Sequence, residues 1–551
     1  MHTLACERQV GVNTCYGWRA CGRATPGPDR MIAVQPEQEV VPGAESPLPA
    51  GRRAGVCLHL TALPGDYGIG EIGSQARRFI DFIADAGLRV WQFLPTGPTA
   101  YGDSPYQPLS SFAGNEMLVD IDGLLEWQLL LPDETAPLRA LPEDHVDYGR
   151  LIPVKHALLR RAATRFPERA PGWLRDDYAA FLEQNDESWL RDYALFRLLK
   201  SEHGERPWPE WPKRYVHRES AALERFAAER AQDLERIKIV QFLFDAQWAE
   251  LRRHAEKRGV WLFGDMPIYI ALDSADAWAN REMLQIDAEG RPSHVAGVPP
   301  DYFSEDGQLW GNPLYDWDYH ERHGYSWWIE RLRHVAARSD LVRIDHFRGF
   351  ESYWSVPADE TTARNGRWEP GPGDRIFDAL REALGHLPIV AEDLGVITPE
   401  VEALRDRHRM PGMVILQFDV CDEAFDLAQI RKNSVCYTGT HDNDTTLGWF
   451  TGSPGDNRSR QEIADTQRRV LEVTGGDAST VTADLVRLAM QSPSRLAIAP
   501  LQDFLGLGSA ARFNTPGKPR DNWRWRTTSD QLSGAFARDL ARLVRESQRG
   551  A

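Results

Sequence analysis

Eight short apolar runs, most of them separated by stretches of helical period, constrain this chain more than any other feature of its sequence. They lie at residues 55–60, 90–94, 260–263, 341–344, 389–391, 413–418, 435–438 and 496–500. Runs of this length and composition read as strands buried on both faces. Buried strands joined by helical crossovers pair in parallel, and eight of them close into a (β/α)8 barrel. The longest interruptions follow the second, third and seventh runs. Residues 120–250, rich in Leu, Ala, Arg and Glu, predict a mainly helical insertion, with loop insertions at 270–335 and 443–490. The spacing at 532–543 is amphipathic and predicts a helix against the outside of the barrel. Residues 53–551 are thus expected to form one catalytic barrel. Residues 1–52 are rich in Pro, Gly and charge without a sustained period, and are expected to be disordered or loosely ordered, with Met31 a candidate natural start.

Three of the runs end on acids: Leu341 to His346, Pro388 to Asp393 and Val435 to Asp442. In a barrel the carboxyl ends of different strands converge on one mouth, so these carboxylates are expected to meet there. Three carboxylates at one mouth suggest glycosidic chemistry. Arg343 and Asp345 are two apart on one strand and face the same way. A guanidinium beside Asp345 favours the ionised carboxylate that a nucleophile requires, although a structural ion pair with His346 packed beside it fits the same spacing. Glu392 in an aromatic, partly dry cleft would hold its proton and donate it to a leaving oxygen. Asp393, its neighbour, reads as a helix-capping acid. His441 and Asp442 are expected to bond ring hydroxyls and stabilise an oxocarbenium-like sugar. Asp265, at the end of the third run, orients its loop or a catalytic neighbour.

Other functions are disfavoured. The formal charge of -17, without a basic stripe, argues against nucleic acid and anionic membranes as partners and suits a neutral substrate. No apolar run reaches membrane-spanning length and the first thirty residues lack a secretory core, so the expected compartment is the cytoplasm. The six Cys show no paired spacing; Cys57 and Cys436 read as buried strand residues, and Cys6, Cys15 and Cys21 as free thiols. His441 to Asp444 cannot aim four adjacent side chains at one ion, so no metal is expected. Gly68 to Gly73 matches G-x-G-x-x-G, yet a Pro64-bearing loop replaces the tight turn, and the next run ends on Leu94-Pro95-Thr96 without an acid for a ribose.

Residues 101–107, 297–304, 307–315, 343–348, 391–395, 438–445, 514–517 and 522–526 together resemble the motifs of the amylomaltase family of 4-α-glucanotransferases, relatives of the α-amylases. The similarity runs from about Ala54 to Arg526. Leu60 and Ala62 depart from the Pro and Ser more usual in that family, which is read as a packing change. The resemblance implies a barrel enzyme without cofactor or metal that acts on α-1,4-glucans by a retaining double displacement. It implies Asp345 as nucleophile, Glu392 as acid/base and Asp442 as transition-state stabiliser. Arg343, His346, His441 and Asp265 would hold the sugar, with Tyr101, Ser104, Tyr302, Trp310 and Asn312 stacking on or bonding to the glucan. Donors and acceptors would be maltooligosaccharides, with glucose also an acceptor, cyclic glucans a further product, and the protein a monomer or weak homo-oligomer. Two alternatives stay open on the residues alone: a hydrolase of the same kind, and a glucan-binding protein without activity.

Overall fold

A computed structural model of the chain describes residues 40–100, 102–300, 305–453, 456, 458–518 and 520–550. Twelve strands occur among them: β1 (Arg53–Cys57), β2 (Val90–Gln92), β3 (Trp261–Pro267), β4 (His294–Val298), β5 (Gln308–Pro313), β6 (Leu341–Asp345), β7 (Ser352–Pro357), β8 (Arg367–Pro370), β9 (Ile389–Ala391), β10 (Gly412–Ile415), β11 (Ser434–Tyr437) and β12 (Leu496–Pro500). Eight form one parallel sheet in the order β10-β11-β12-β1-β2-β3-β6-β9. The ring is nearly closed, as the eight apolar runs predict. At the last seam Ala391 N–H donates to Pro411 O at 2.8 Å, and Met413 N–H donates to Asp393 Oδ1 at 2.7 Å. Arg405 and Arg431 pair with the same Asp393 carboxylate, and a Cβ at Gly412 would strike it. Asp393 is therefore part of the barrel wall and not a helix cap; the next helix begins only at Pro399.

Alternation along the strands explains how a floor and a mouth arise from the same residues. Cys57, Val90, Phe263, Leu341, Val390, Met413, Val435 and Leu496 fill the interior as one apolar cluster. Side chains two residues further on point the same way. That parity carries Asp265 above Phe263, Arg343 and Asp345 above Leu341, and Glu392 above Val390. Polar groups thus gather only at the carboxyl ends of the strands.

The floor is closed from below by the chain's own early segment. Residues 1–39 lie outside the described part, and from residue 40 onward the segment is docked, more ordered than its composition predicts. Val41 N–H donates to Arg407 O at 3.0 Å, and Leu48, 4 % exposed, joins the barrel's interior cluster. At the other end Arg549 is fully buried and donates to Met490 O, Ser492 O, Ser494 O and Arg53 O.

Between β2 and β3 the chain forms the helical insertion, whose longest members are Tyr148–Arg169 and Ala231–Arg258. The latter ends on Gly259 at φ 65° and returns the chain to β3. In the G-x-G-x-x-G segment, a Cβ at Gly70 would lie 1.9 Å from Leu60 O and one at Gly73 1.8 Å from the Asp120 carboxylate. These glycines serve close packing. Glu71 is buried within the segment, paired with Lys155 and accepting from Ile121 N–H at 3.1 Å, so its side chain is also committed to the fold.

Three differences from the sequence reading stand out. The 443–490 stretch, expected as a loop insertion, is mostly helical, with helices Thr446–Thr451, Arg460–Thr474 and Val481–Gln491. Run 413–418 divides into β10 and a helical turn, Leu416–Asp419, because a buried turn is as apolar as the strand before it. The 270–335 stretch, expected as loops, instead supplies β4 and β5, which join β7 and β8 in an antiparallel sheet of order β5-β4-β7-β8. Glycine, proline and asparagine interrupt β4 and β5, so no apolar alternation marks them. This side sheet follows the carboxyl ends of β3 and β6 and therefore stands at the mouth. At the outer surface Phe536 of helix Gly534–Glu546 stacks on Phe82 of helix Ser74–Asp85 with centroids 5.9 Å apart. No helix among the described residues is long and apolar enough to cross a membrane.

Candidate active site

Arg343 is the centre of the mouth. Its Nη1 donates to both oxygens of Asp265, at 2.9 and 2.7 Å, and its Nη2 to Asp345 Oδ1 at 2.7 Å. The planar guanidinium reaches two carboxylates at once, which fixes both orientations. Tyr106 OH donates to Asp265 Oδ2 at 2.8 Å, and its ring stacks on His441 with centroids 5.1 Å apart and planes 10° from parallel. His441 Nε2 is 3.4 Å from Asp442 Oδ2, and Asn514 Nδ2 donates to Asp442 Oδ1 at 2.6 Å. Groups from β3, β6 and the segment after β11 are joined in this way.

Glu392 is held separately. His346 N–H donates to its Oε2 at 2.7 Å and Leu394 N–H to its Oε1 at 2.8 Å. The first contact requires an unusual backbone: His346 has φ 55°, a left-handed conformation costly for a residue with a Cβ. Trp310 meets the His346 ring edge to face, centroids 4.7 Å apart. Glu392 meets the backbone of His346, and the Trp310 ring meets its imidazole.

Burial governs the charges. It raises the Asp442 carboxyl to about 6, against the pull of the Asn514 hydrogen bond and of Arg343. It lowers His441 to about 3, with Arg343 adding to the effect, and lowers His346 to about 3, with Arg348 adding. Both imidazoles are neutral at pH 7. Burial also raises the Asp265 carboxyl, while Arg343 acts in the opposite sense.

The structure brings together Asp265, Arg343, Asp345, His346, Glu392, His441 and Asp442. Tyr101 and Tyr302 lie outside the described residues. Ser104 Oγ accepts from Tyr106 N–H at 3.3 Å, and Asn312 links Gln107 to Ile270 O, so both brace the loop that carries Tyr106. Trp310, expected to stack on or bond to the glucan, is 2 % exposed and packs on the His346 ring. Tyr106 and Asn514 were not singled out in advance, although both fall in stretches that carry the family resemblance. Trp523, 3 % exposed and with φ 64°, packs against His441 and Phe513 and completes the wall. Among the described residues no cluster of His, Cys, Asp and Glu is arranged to hold a metal ion.

A carboxylate fixed by a guanidinium, a second carboxyl on the adjacent strand and a third across the mouth form a set suited to breaking a glycosidic bond. Comparison with known proteins agrees. The family model described as 4-alpha-glucanotransferase matches residues 58–531. The 4-alpha-glucanotransferase of Thermus thermophilus is 46% identical over 507 residues, covering 90% of this chain and 99% of the relative. That of Synechocystis sp. is 45% identical over 489 residues, covering 88% and 95%. The solved amylomaltase from Streptococcus agalactiae in complex with acarbose superposes with a TM-score of 0.85 at 34% identity, covering 91% of this chain and all of that one. The chain belongs to the 4-α-glucanotransferase family, glycoside hydrolase family 77, and is an enzyme of that class.

Proposed function

We propose that this enzyme moves α-1,4-glucan segments between maltodextrins by a retaining double displacement. Asp345 attacks the anomeric carbon while the Glu392 carboxyl gives its proton to the departing 4-oxygen, leaving an ester between Asp345 and the donor segment. Glu392, now ionised, takes the proton of an incoming 4-hydroxyl, which attacks the ester, releases Asp345 and restores the α-linkage. Asp442 stabilises the positive charge that develops on the ring in both steps. A second glucan or glucose as acceptor gives disproportionation; the far end of the same segment gives a cyclic product.

The observation that carries this reading is that Asp345 and Glu392 stand at the ends of neighbouring strands, β6 and β9, in the register Ile344 to Ala391. Neighbouring strands are about 4.8 Å apart. Strand ends this close favour the short carboxyl separation of retaining enzymes, roughly 5 Å, over the wider one of an inverting pair.

The test uses purified protein and maltotriose without phosphate, nucleotide or added metal. Longer maltodextrins plus glucose at constant total reducing ends are expected. Rising reducing ends would replace the reading with hydrolysis.

A further inference from the structure

An exposed tryptophan at the rim is not used by the mechanism above. Trp368 lies on β8, the outer strand of the side sheet, and is 40% exposed. It pairs in register with Trp354 on β7, their ring centroids 5.2 Å apart and planes 68° from parallel. The Arg348 guanidinium lies 3.8 Å from the Trp368 ring centroid. Arg348 also donates to Val396 O and to Ser352 Oγ. Val396 is 55% exposed and follows Glu392 by four residues, while Arg348 follows His346 by two. Trp368 and Val396 therefore flank one cation and form a continuous ledge on the Glu392 side of the mouth.

The exposure has no packing explanation. An outer strand bearing Arg367, Glu369 and Pro370 is already guarded against pairing with another sheet, so the tryptophan is not needed for that purpose. A large aromatic beside a hydrogen-bonding cation suits a ligand with an apolar face and hydroxyl edges, which is the chemistry of a pyranose ring. The ledge is continuous with the catalytic mouth through Arg348 and the loop after Glu392. The acid/base group protonates the leaving chain, so this side receives the leaving and accepting glucan. We propose that Trp368, backed by Arg348 and Trp354, is an outer subsite that binds a glucosyl unit of the acceptor chain beyond those at the reacting bond. This rests on the glucanotransferase reading above.

The experiment compares maltotriose with maltoheptaose as substrates of the full-length enzyme. In Trp368→Ala, kcat/KM for maltoheptaose relative to that for maltotriose is expected to fall about tenfold, the scale of one aromatic contact. Trp368→Phe, which keeps a ring, should restore most of it. On the unsubstituted enzyme, saturating maltoheptaose should protect Trp368 from hydroxyl-radical oxidation while Trp173, 53% exposed on the helical insertion, remains reactive. An unchanged ratio in Trp368→Ala, or equal oxidation of Trp368 with and without maltoheptaose, overturns the subsite while disproportionation persists. Absence of disproportionation in the unsubstituted enzyme overturns both readings.

Discussion

Asp442 carries its charge only above a pH set by its surroundings. Burial raises its carboxyl to about 6, and the Asn514 donor works to lower it. In the mechanism proposed above the ionised form stabilises a cationic ring, so kcat/KM for maltotriose is expected to rise with pH through about 6. Asn514→Ala removes a donor to the charged form and should move that limb upward; a pH–rate profile in which the limb stays in place would sink the assignment. Asp345→Asn is expected to abolish transfer while glucan binding, followed by calorimetry, persists. Glu392→Gln should lose on the order of 10² to 10⁴ in rate, with its first step rescued by a donor whose leaving group needs no proton. All three acids were legible in the sequence because each closes an apolar run. Tyr106 was not, since its partner Asp265 is 159 residues away and only the folded barrel turns the two side chains toward each other.

At the level of elements, the parallel strands were readable and the antiparallel ones were not. A strand buried on both faces is apolar throughout, whereas β4 and β5 hold Gly297, Gly311 and Asn312 and show neither periodicity. The Gly68 to Gly73 segment shows the converse, a pattern whose glycines answer to packing against Leu60 and Asp120. The segment before β1 looked loose because a few scattered buried residues, Ala44, Pro47 and Leu48, leave no period. Of these, Leu48 joins the apolar cluster of the barrel interior. Leu48→Ala is therefore expected to cost about 2–5 kcal/mol, the usual range for a buried leucine, without altering the residues at the mouth. Denaturant unfolding measures the loss, and a change below about 0.5 kcal/mol, the level of surface substitutions, would show that the floor does not depend on this residue.

Across the whole molecule, distant parts of the chain are tied at a few buried ionic points. Lys155, on the insertion helix Tyr148–Arg169, pairs with Glu71 in the loop before helix Ser74–Asp85, and both are buried. Nearby, Arg526 donates to Leu63 O, Gly65 O and Pro142 O, joining the chain after β12 to the same loop. Lys155→Met would leave Glu71 buried and unpaired at a cost of about 3–5 kcal/mol. The double variant with Glu71→Gln should recover most of that, and failure to recover would mean that packing, not charge, makes the tie. Such ties join residues tens to hundreds of positions apart and left no mark in sequence spacing, which is why the barrel was legible but its fastening was not. One fastening has a particular place. Adjacent residues after β9 divide their work: Glu392 is the acid/base of the mechanism proposed above, while Asp393 laces the seam between β9 and β10, where the order of paired strands ends. Warming that frees Asp393 from Met413 would displace its neighbour at the same moment, so activity is expected to fade reversibly before the barrel melts; assay and circular dichroism followed over one temperature ramp check this, and coincident losses would overturn it.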